Sequence, residues 1–318
     1  MIGSSFSLLH LALSAIILPL MLSVTETETE TTPYDDAELY DVVFEQLDYG
    51  LDYYLQLARA AGGPILDLAC GTGRVMLPCL SAGLEVDGVD LSASMLARLR
   101  EKASAKGFQP RLWQASMASF ALERRYALIM IPFNAFVHNL TVDDQIGTLS
   151  RCREHLQPGG LLAFDAFFPG TGIITAPENT RVLETEVLHP KTGLPVRLFD
   201  TRSFDRVEQR QFSKVEIEMI DSHGRVASTH TSHTVVRWIY KTEMELLMRA
   251  SGFAQWGIFG GFDRSALRLE TDGMVVEAWN SSPGHVRGHQ RDTASGPDRR
   301  AIDEKHDVDK RDVGRNNK

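Results

Sequence analysis

The sequence predicts an α/β fold: a doubly wound, seven-stranded, mostly parallel sheet with an antiparallel β insert between its fifth strand and its last helix. Three observations predict it. Short apolar runs alternate with longer amphipathic segments between Tyr40 and Phe168. Two of those runs, PILD and LEVDGVD, each stop at a turn that opens a helical segment, as parallel strands joined by crossover helices do. Beyond Pro169 the period changes to two, with Val215, Ile217 and Met219 alternating with Lys214, Glu216 and Glu218.

Taken in order, Tyr40, Phe44, Leu47, Leu51, Tyr54 and Leu55 recur at helical spacing, so one amphipathic helical region is expected over Tyr40–Ala61. Gly62, Gly63 and Pro64 stop it. A first strand ends in Asp67, and after a glycine loop a helix is expected from about Arg74. The second strand, LEVDGVD, ends in Asp90, and Ser92 is placed to cap the helix behind it. A third strand is expected around Arg111–Gln114 and a fourth over Tyr126–Phe133. Thr141–Asp144 opens a helix that the QPGG sequence is expected to terminate, before a fifth strand, LLAFDAF, that ends near Asp165. The insert should hold hairpins around a Lys-Thr-Gly and a Ser-His-Gly turn. In KTEMELLMRASGF, Thr242 and Glu245 have capping-box spacing and Gly252 is the stop. Strands near Gln255–Phe259 and Gly273–Trp279 complete seven.

Composition bounds the function. The formal charge of −9 argues against a nucleic-acid binder, whose phosphate contacts need surplus Lys and Arg. Cys70, Cys79 and Cys152 show no C-x-x-C spacing, so no metal site and no disulfide scaffold is expected. Free thiols fit a reducing compartment, and a cytoplasmic location is expected. Residues 1–33 read as a hydrophobic segment and polar linker, 34–280 as the folded domain with its insert at about 180–240, and 281–318 as a charged, disordered tail. His285, His289 and His306 in that tail read as solvated. Phe6–Val24 is apolar and uncharged, yet no Lys or Arg precedes it, and His10, Pro19 and three serines weaken it as a membrane helix. It can be an over-extended start before Met21, a signal or anchor, or a packed helix; a membrane partner is not expected.

The chemistry is signalled at the first strand–loop–helix junction, where open parallel sheets bind ligands. In Asp67-Leu-Ala-Cys-Gly-Thr-Gly-Arg74, Gly71 and Gly73 let the backbone turn tightly and approach a ligand. Asp90 closes the next strand, near the offset at which an acid meets ribose hydroxyls. A dinucleotide fingerprint needs a third glycine, and Met76 stands there instead. An Asp beside the loop suits a cationic ligand better than a pyrophosphate. S-adenosylmethionine, with an ammonium, a sulfonium and a ribose, fits that description.

These residues resemble a family. D-L-A-C-G-T-G-R is similar to the first motif of class I S-adenosylmethionine-dependent methyltransferases, and V-D-L-S-x-x-M-L to the segment after their second strand. The likeness continues through Pro-Phe-Asn at the end of the fourth strand and L-Q-P-G-G-L-L-A-F-D before the fifth, and covers roughly Tyr34–Trp279. It is greatest to bacterial small-molecule methyltransferases with an antiparallel insert, such as some amino-sugar N-methyltransferases. The resemblance implies a Rossmann-like fold, S-adenosylmethionine as cofactor, and methyl transfer to nitrogen or oxygen of a small-molecule acceptor. It further implies that Asp67 supports the methionine ammonium and that Gly71 and Gly73 floor the methionine and ribose. Ala69 falls within this loop. Asp90 would accept the ribose hydroxyls, Leu91 and Met95 would pack on adenine, and Phe133 would line the pocket near the methyl. Ser116, followed by Met117, stands where an acid usually binds the adenine amino group; a hydroxyl bonds it more weakly.

Blander readings stand beside these. Asp67 can cap a turn, Met95 and Leu91 can be core, and Arg74 can pack at a helix start or reach the cofactor carboxylate. Cys70 and Cys79 read as small core residues. For a protonated acceptor His138 is the best-placed base and Asn134 an orienting group, with a surface role for His138 as the alternative. Asp165 can face the acceptor or cap a loop. His230 and His233 read as exposed-strand residues, and Arg237 and Tyr240 can line the acceptor side. The rival functions are a binding protein that has lost turnover, for which Ser116 is the signal, and a nicotinamide-dependent oxidoreductase, which lacks its third glycine. An exposed edge of the insert sheet makes a homodimer possible.

Overall fold

The computed structural model describes residues 31–170, 175, 177–268 and 273–280. The chain divides after Ser282 into two units, and the second falls wholly outside the described residues. So do the apolar run Phe6–Val24 and the three tail histidines.

The central sheet holds β1 (Ile65–Leu68), β2 (Val86–Asp90), β3 (Leu112–Gln114), β4 (Tyr126–Ile131), β5 (Leu156–Phe167), β10 (Gln255–Phe259) and β11 (Gly273–Trp279). Their order is β10-β11-β5-β4-β1-β2-β3. β3, β2, β1, β4 and β5 run parallel, while β11 is antiparallel to both β5 and β10. The order reverses between β1 and β4, which fixes where a ligand crevice opens. Alternate residues face opposite sides. Leu66, Leu68, Ile129, Ile131 and Phe164 enter one core with α5 (Val142–His155) and α6 (Lys241–Ala250). Ile65, Leu128, Met130 and Ala163 enter the other with α2 (Leu51–Ala60), α3 (Met76–Ser81) and α4 (Ala93–Ala105). Near-continuous apolar strands buried on both faces are what this topology requires.

The insert lies between β5 and α6, as expected. Its strands β6 (Arg181–Leu188), β7 (Pro195–Asp205), β8 (Arg210–Ile220) and β9 (Val226–Arg237) form one antiparallel sheet in sequence order. Val196, Leu198, Val215 and Ile217 on its inner face pack against Val42 and Val43 of α1 (Ala37–Phe44). Helix α1 is also tied to the central domain. Its buried Asp41 pairs with Arg98 at 2.8 Å and Lys102 at 2.9 Å on α4, and accepts from the Thr72 hydroxyl in the glycine loop at 2.5 Å. It thus braces the insert and the loop against each other.

Several boundaries differ from the sequence expectation. The single helical region over Tyr40–Ala61 is two helices, because the chain breaks at Gly50, whose φ of 67° is left-handed and whose missing side chain makes room for Phe262. The helix expected from Arg74 starts two residues later, at Met76. β4 ends at Ile131 rather than Phe133, since Phe133 and Asn134 both turn left-handed. Helix α5 ends at His155, and QPGG lies inside β5 as an irregularity between the Tyr126–Leu156 and Leu128–Leu161 pairs. The Thr242–Glu245 capping box does not form: α6 starts at Lys241, Tyr240 caps it without a side-chain bond, and Glu245 pairs with Lys241. Ser92 and Thr141 do cap α4 and α5, and Gly252 stands in the left-handed conformation just past α6.

Candidate active site

Three carboxylates stand along the crevice, and they are used differently. Asp67, at the end of β1, is 1% exposed, and neither of its oxygens has a hydrogen-bond partner. Burial and the nearby Asp90 push its carboxyl up to about 7, against the pull of Arg74 and of the Met76 amide, which stays outside bonding geometry. Asp90, at the end of β2, accepts from the Gly71 amide and the Ser92 amide, each at 2.8 Å. It therefore holds the glycine loop to the start of α4. Asp165 in β5 has partners on both oxygens. It accepts from the Tyr54 hydroxyl at 2.5 Å, the Phe133 amide at 2.9 Å and the Asn134 amide at 2.7 Å. Of the two readings of Asp165, the loop-holding one matches these bonds.

That loop is costly. Two successive non-glycine residues in the left-handed region, Phe133 at φ 62° and Asn134 at φ 57°, are strained, and such strain persists where the surroundings over-determine it. Here Asp165 supplies the compensation. The loop turns the Phe133 ring under Arg74, 4.6 Å from its guanidinium carbon, and leaves Asn134 Oδ1 buried without a partner. Ala69 is left-handed as well, at φ 62°.

Arg74 anchors the other side. Its Nη1 donates to the carbonyls of Leu47 at 3.2 Å and Tyr49 at 2.8 Å in the α1–α2 connection, while its Nη2 is buried and unpaired. The two glycines differ. A side chain on Gly71 would meet nothing within 4 Å, whereas one on Gly73 would sit 2.3 Å from Leu99 Cδ1. Gly71 therefore keeps open space above the loop, and Gly73 lets α4 pack against it. Leu91 is 69% exposed just beyond Asp90, whereas Met95 is buried. The Ser116 hydroxyl accepts from the Ala118 amide at 3.2 Å, and Met117 Sδ lies 3.2 Å from Asn139 Nδ2.

His138 follows on a 3₁₀ turn, Ala135–His138. Its Nε2 is 2.8 Å from the Tyr34 hydroxyl, and its ring lies near the Val235 backbone on β9. Burial lowers its pKa, so the ring is neutral near pH 7. Tyr34 was not among the residues singled out from sequence. Its carbonyl accepts from the Ser92 and Ser94 hydroxyls, at 3.0 and 2.6 Å. Tyr34, Tyr40, Phe44, Phe133, Tyr49 and Phe262 form an unbroken arc of neighbouring rings, each pair 4.7 to 6.0 Å between centroids. Of these rings the sequence showed Tyr40 and Phe44 as a helix face and Phe133 as a pocket residue.

Other candidates lie elsewhere. Arg237 is committed to Gln145 and Glu243, joining β9 to α5 and α6. His230 and His233 are exposed, with the His233 amide donating to the Thr31 carbonyl. Tyr240 opens α6, with its ring centroid 6.5 Å from that of Phe168. The three cysteines are free and buried, and burial raises their thiols, which suits core packing rather than nucleophilic work. Among the described residues no cluster could hold a metal ion, and no helix is long and apolar enough to cross a membrane.

Comparison with known proteins places this arrangement. Residues 65–160, from β1 to the irregularity in β5, match a family model described as a methyltransferase domain. This segment is a methyltransferase domain. The methyltransferase CcbJ from Streptomyces caelestis superposes at a TM-score of 0.63 with 26% identity, over 79% of this chain and 99% of that one. The dTDP-3-amino-3,4,6-trideoxy-alpha-D-glucopyranose N,N-dimethyltransferase of Streptomyces venezuelae is 26% identical over 147 residues, 43% of this chain and 60% of that protein. The demethylmenaquinone methyltransferase of Thermus thermophilus is 33% identical over 142 residues, 42% of this chain and 63% of that protein. The chain spans about half the length of the first curated relatives it matches. The fold is that of class I S-adenosylmethionine-dependent methyltransferases, and S-adenosylmethionine is the cofactor of the family. The methyltransferase domain fits that cofactor on its own geometry: a bare buried carboxylate and an unpaired guanidinium nitrogen, close enough for Arg74 to act on the Asp67 charge, are what an amino-acid moiety needs.

Proposed function

We propose that this protein transfers a methyl group from S-adenosylmethionine to an amine nitrogen of a small-molecule acceptor. One observation carries the cofactor side: the buried Asp67 carboxylate whose oxygens have no partner in the chain. A buried charge left bare costs the fold dearly, and a ligand ammonium removes that cost. In this reading Asp67 holds the methionine ammonium and Arg74 Nη2 its carboxylate. Asp90 keeps lone pairs for the ribose hydroxyls, and exposed Leu91 gains cover from the adenine. The cofactor supplies a methyl already activated on a sulfonium, so positioning the acceptor is most of what the protein must do.

For the acceptor, Asn134 Oδ1 takes an N–H hydrogen, which aims the nitrogen lone pair away from the loop. An acceptor arriving as an ammonium loses its proton to the Tyr34 oxygen as the Tyr34 hydroxyl proton passes to His138 Nε2. The neutral state of His138 suits it to receive that proton. The amino-sugar N,N-dimethyltransferase likeness supports nitrogen as the atom methylated. The free thiols support a cytoplasmic location.

Calorimetric titration with S-adenosylmethionine, S-adenosylhomocysteine and NADH tests the cofactor side. Saturable binding of both adenosyl compounds, weakened tenfold or more in Asp67→Asn and absent for NADH, is expected. A folded protein that binds neither adenosyl compound overturns the reading. Transfer of labelled methyl to a panel of amines, with matched alcohols as controls, tests the acceptor atom.

A further inference from the structure

The inner face of the insert sheet is split. Its Val196, Leu198, Val215 and Ile217 end is covered by α1. Further along β7 and β8 the same face turns polar with Asp200, Arg202 and Ser213, even though Asp200 is only 7% exposed and Ser213 only 5%. Polar side chains buried on a sheet face need partners, and Asp200 has them for one oxygen only. Its Oδ2 accepts from Arg202 Nε at 2.7 Å and from the Ser213 hydroxyl at 3.1 Å. Its Oδ1 is buried and unpaired.

Register places this group relative to the reaction. Ser213 lies opposite Thr234 on β9, so the two share a face. β9 packs against the 3₁₀ turn that carries His138, whose Nε2 is 2.8 Å from the Tyr34 hydroxyl. Polar groups thus line this face from Asp200 through Ser213 to Thr234, on the strand that packs against that turn. The Asp200 end carries a carboxylate with spare accepting capacity.

We propose that Asp200 is the specificity-determining residue of the acceptor site, taking with its free Oδ1 a hydroxyl hydrogen of the acceptor remote from the nitrogen that is methylated. The inference rests on the methyltransferase reading above and deepens it: the acceptor class is a hydroxylated amine. Arg202 and Ser213 fix the carboxylate by its other oxygen, so the free one is presented in a set direction. A site built around a buried hydrogen-bonding group rejects analogues that leave it unpaired.

The experiment compares D-glucosamine with cyclohexylamine, which lacks the hydroxyls, as acceptors for labelled methyl. The wild type, Asp200→Asn and Asp200→Ala are each assayed, with S-adenosylhomocysteine affinity measured alongside. The wild type should favour glucosamine in kcat/KM by tenfold or more. Both variants should lose most of that preference through a raised KM for glucosamine, with cyclohexylamine turnover and S-adenosylhomocysteine affinity unchanged. Asp200→Asn keeps an oxygen and a similar shape, so it guards against a folding defect in the alanine variant. An unchanged preference in both variants overturns the proposal. So does methylation of neither amine, or equal use of both, by a wild type that binds S-adenosylhomocysteine. Failure to bind S-adenosylhomocysteine overturns the methyltransferase reading itself, which separates the two.

Discussion

The carboxyl ends of β1 and β2 and those of β4 and β5 are built from the same materials to opposite purposes. Both have an aspartate near a strand end and a left-handed loop beyond it. At β5 the aspartate is engaged on both oxygens: three donors converge on Asp165, and through them it fixes Phe133 and Asn134 in the left-handed conformation that Phe133 disfavours. At β1 the aspartate is bare, with its loop fixed instead by Asp90. A carboxylate with several protein donors holds a loop in place, and one deprived of them keeps its accepting capacity free. Asp90 does some of each.

The contrast can be broken most severely at Asp165. Asp165→Ala leaves two buried amides and a phenol unpaired, and should cost ~3 kcal/mol or more in denaturant unfolding, with Asp165→Asn costing less. Among the glycines, Gly73→Ala should destabilise well beyond the ~1–2 kcal/mol of a left-handed alanine, because its Cβ meets Leu99, whereas Gly71→Ala should cost only about that much. Thermal unfolding of the two variants checks this, and equal losses would show that Leu99 yields. At Asp67 the effect reverses. Asp67→Asn should weaken S-adenosylhomocysteine binding by about 10- to 100-fold while stabilising the ligand-free protein at pH 8. A variant that loses stability there would show that the bare carboxylate is a structural partner after all.

The smallest expected effect sharpens the comparison by pH. The Asp67 carboxyl titrates near 7 in the folded protein, above its ordinary 3.8, so the folded state holds the extra proton between those values. On this group's account, ligand-free stability falls as pH rises from 4 to 7, and affinity for an ammonium-bearing ligand rises over the upper part of that window. Asp90 and Asp165 are raised by burial as well, so the informative quantity is the difference between wild type and Asp67→Asn. Melting temperatures from pH 5 to pH 8 should converge at the acid end and separate at the other.

Legibility followed sequence distance. Asp67, Gly71, Gly73 and Asp90 could be read directly because one turn and one crossover place them at set offsets along the chain. The strands were legible because burial on two faces demands apolar runs, and the insert because one wet face demands alternation. What escaped were local choices settled by remote partners. The break at Gly50 depends on Phe262, and the early end of β4 depends on Asp165. The helix-like spacing of Tyr40, Phe44 and Tyr54 could not show that the chain would part between α1 and α2 to offer carbonyls to Arg74.

By itself, then, the sequence determined where the first loop turns at the carboxyl edge of the sheet, and which acids end the strands beside it. Only the tertiary structure decided which of those acids is spent and which is free, because a carboxylate's role is set by the donors around it. Those donors come from afar. Tyr54 reaches Asp165 across 111 positions, and Tyr34 meets His138 across 104. No local period encodes such meetings; they follow from how the insert and α1 close over the carboxyl edge of the sheet.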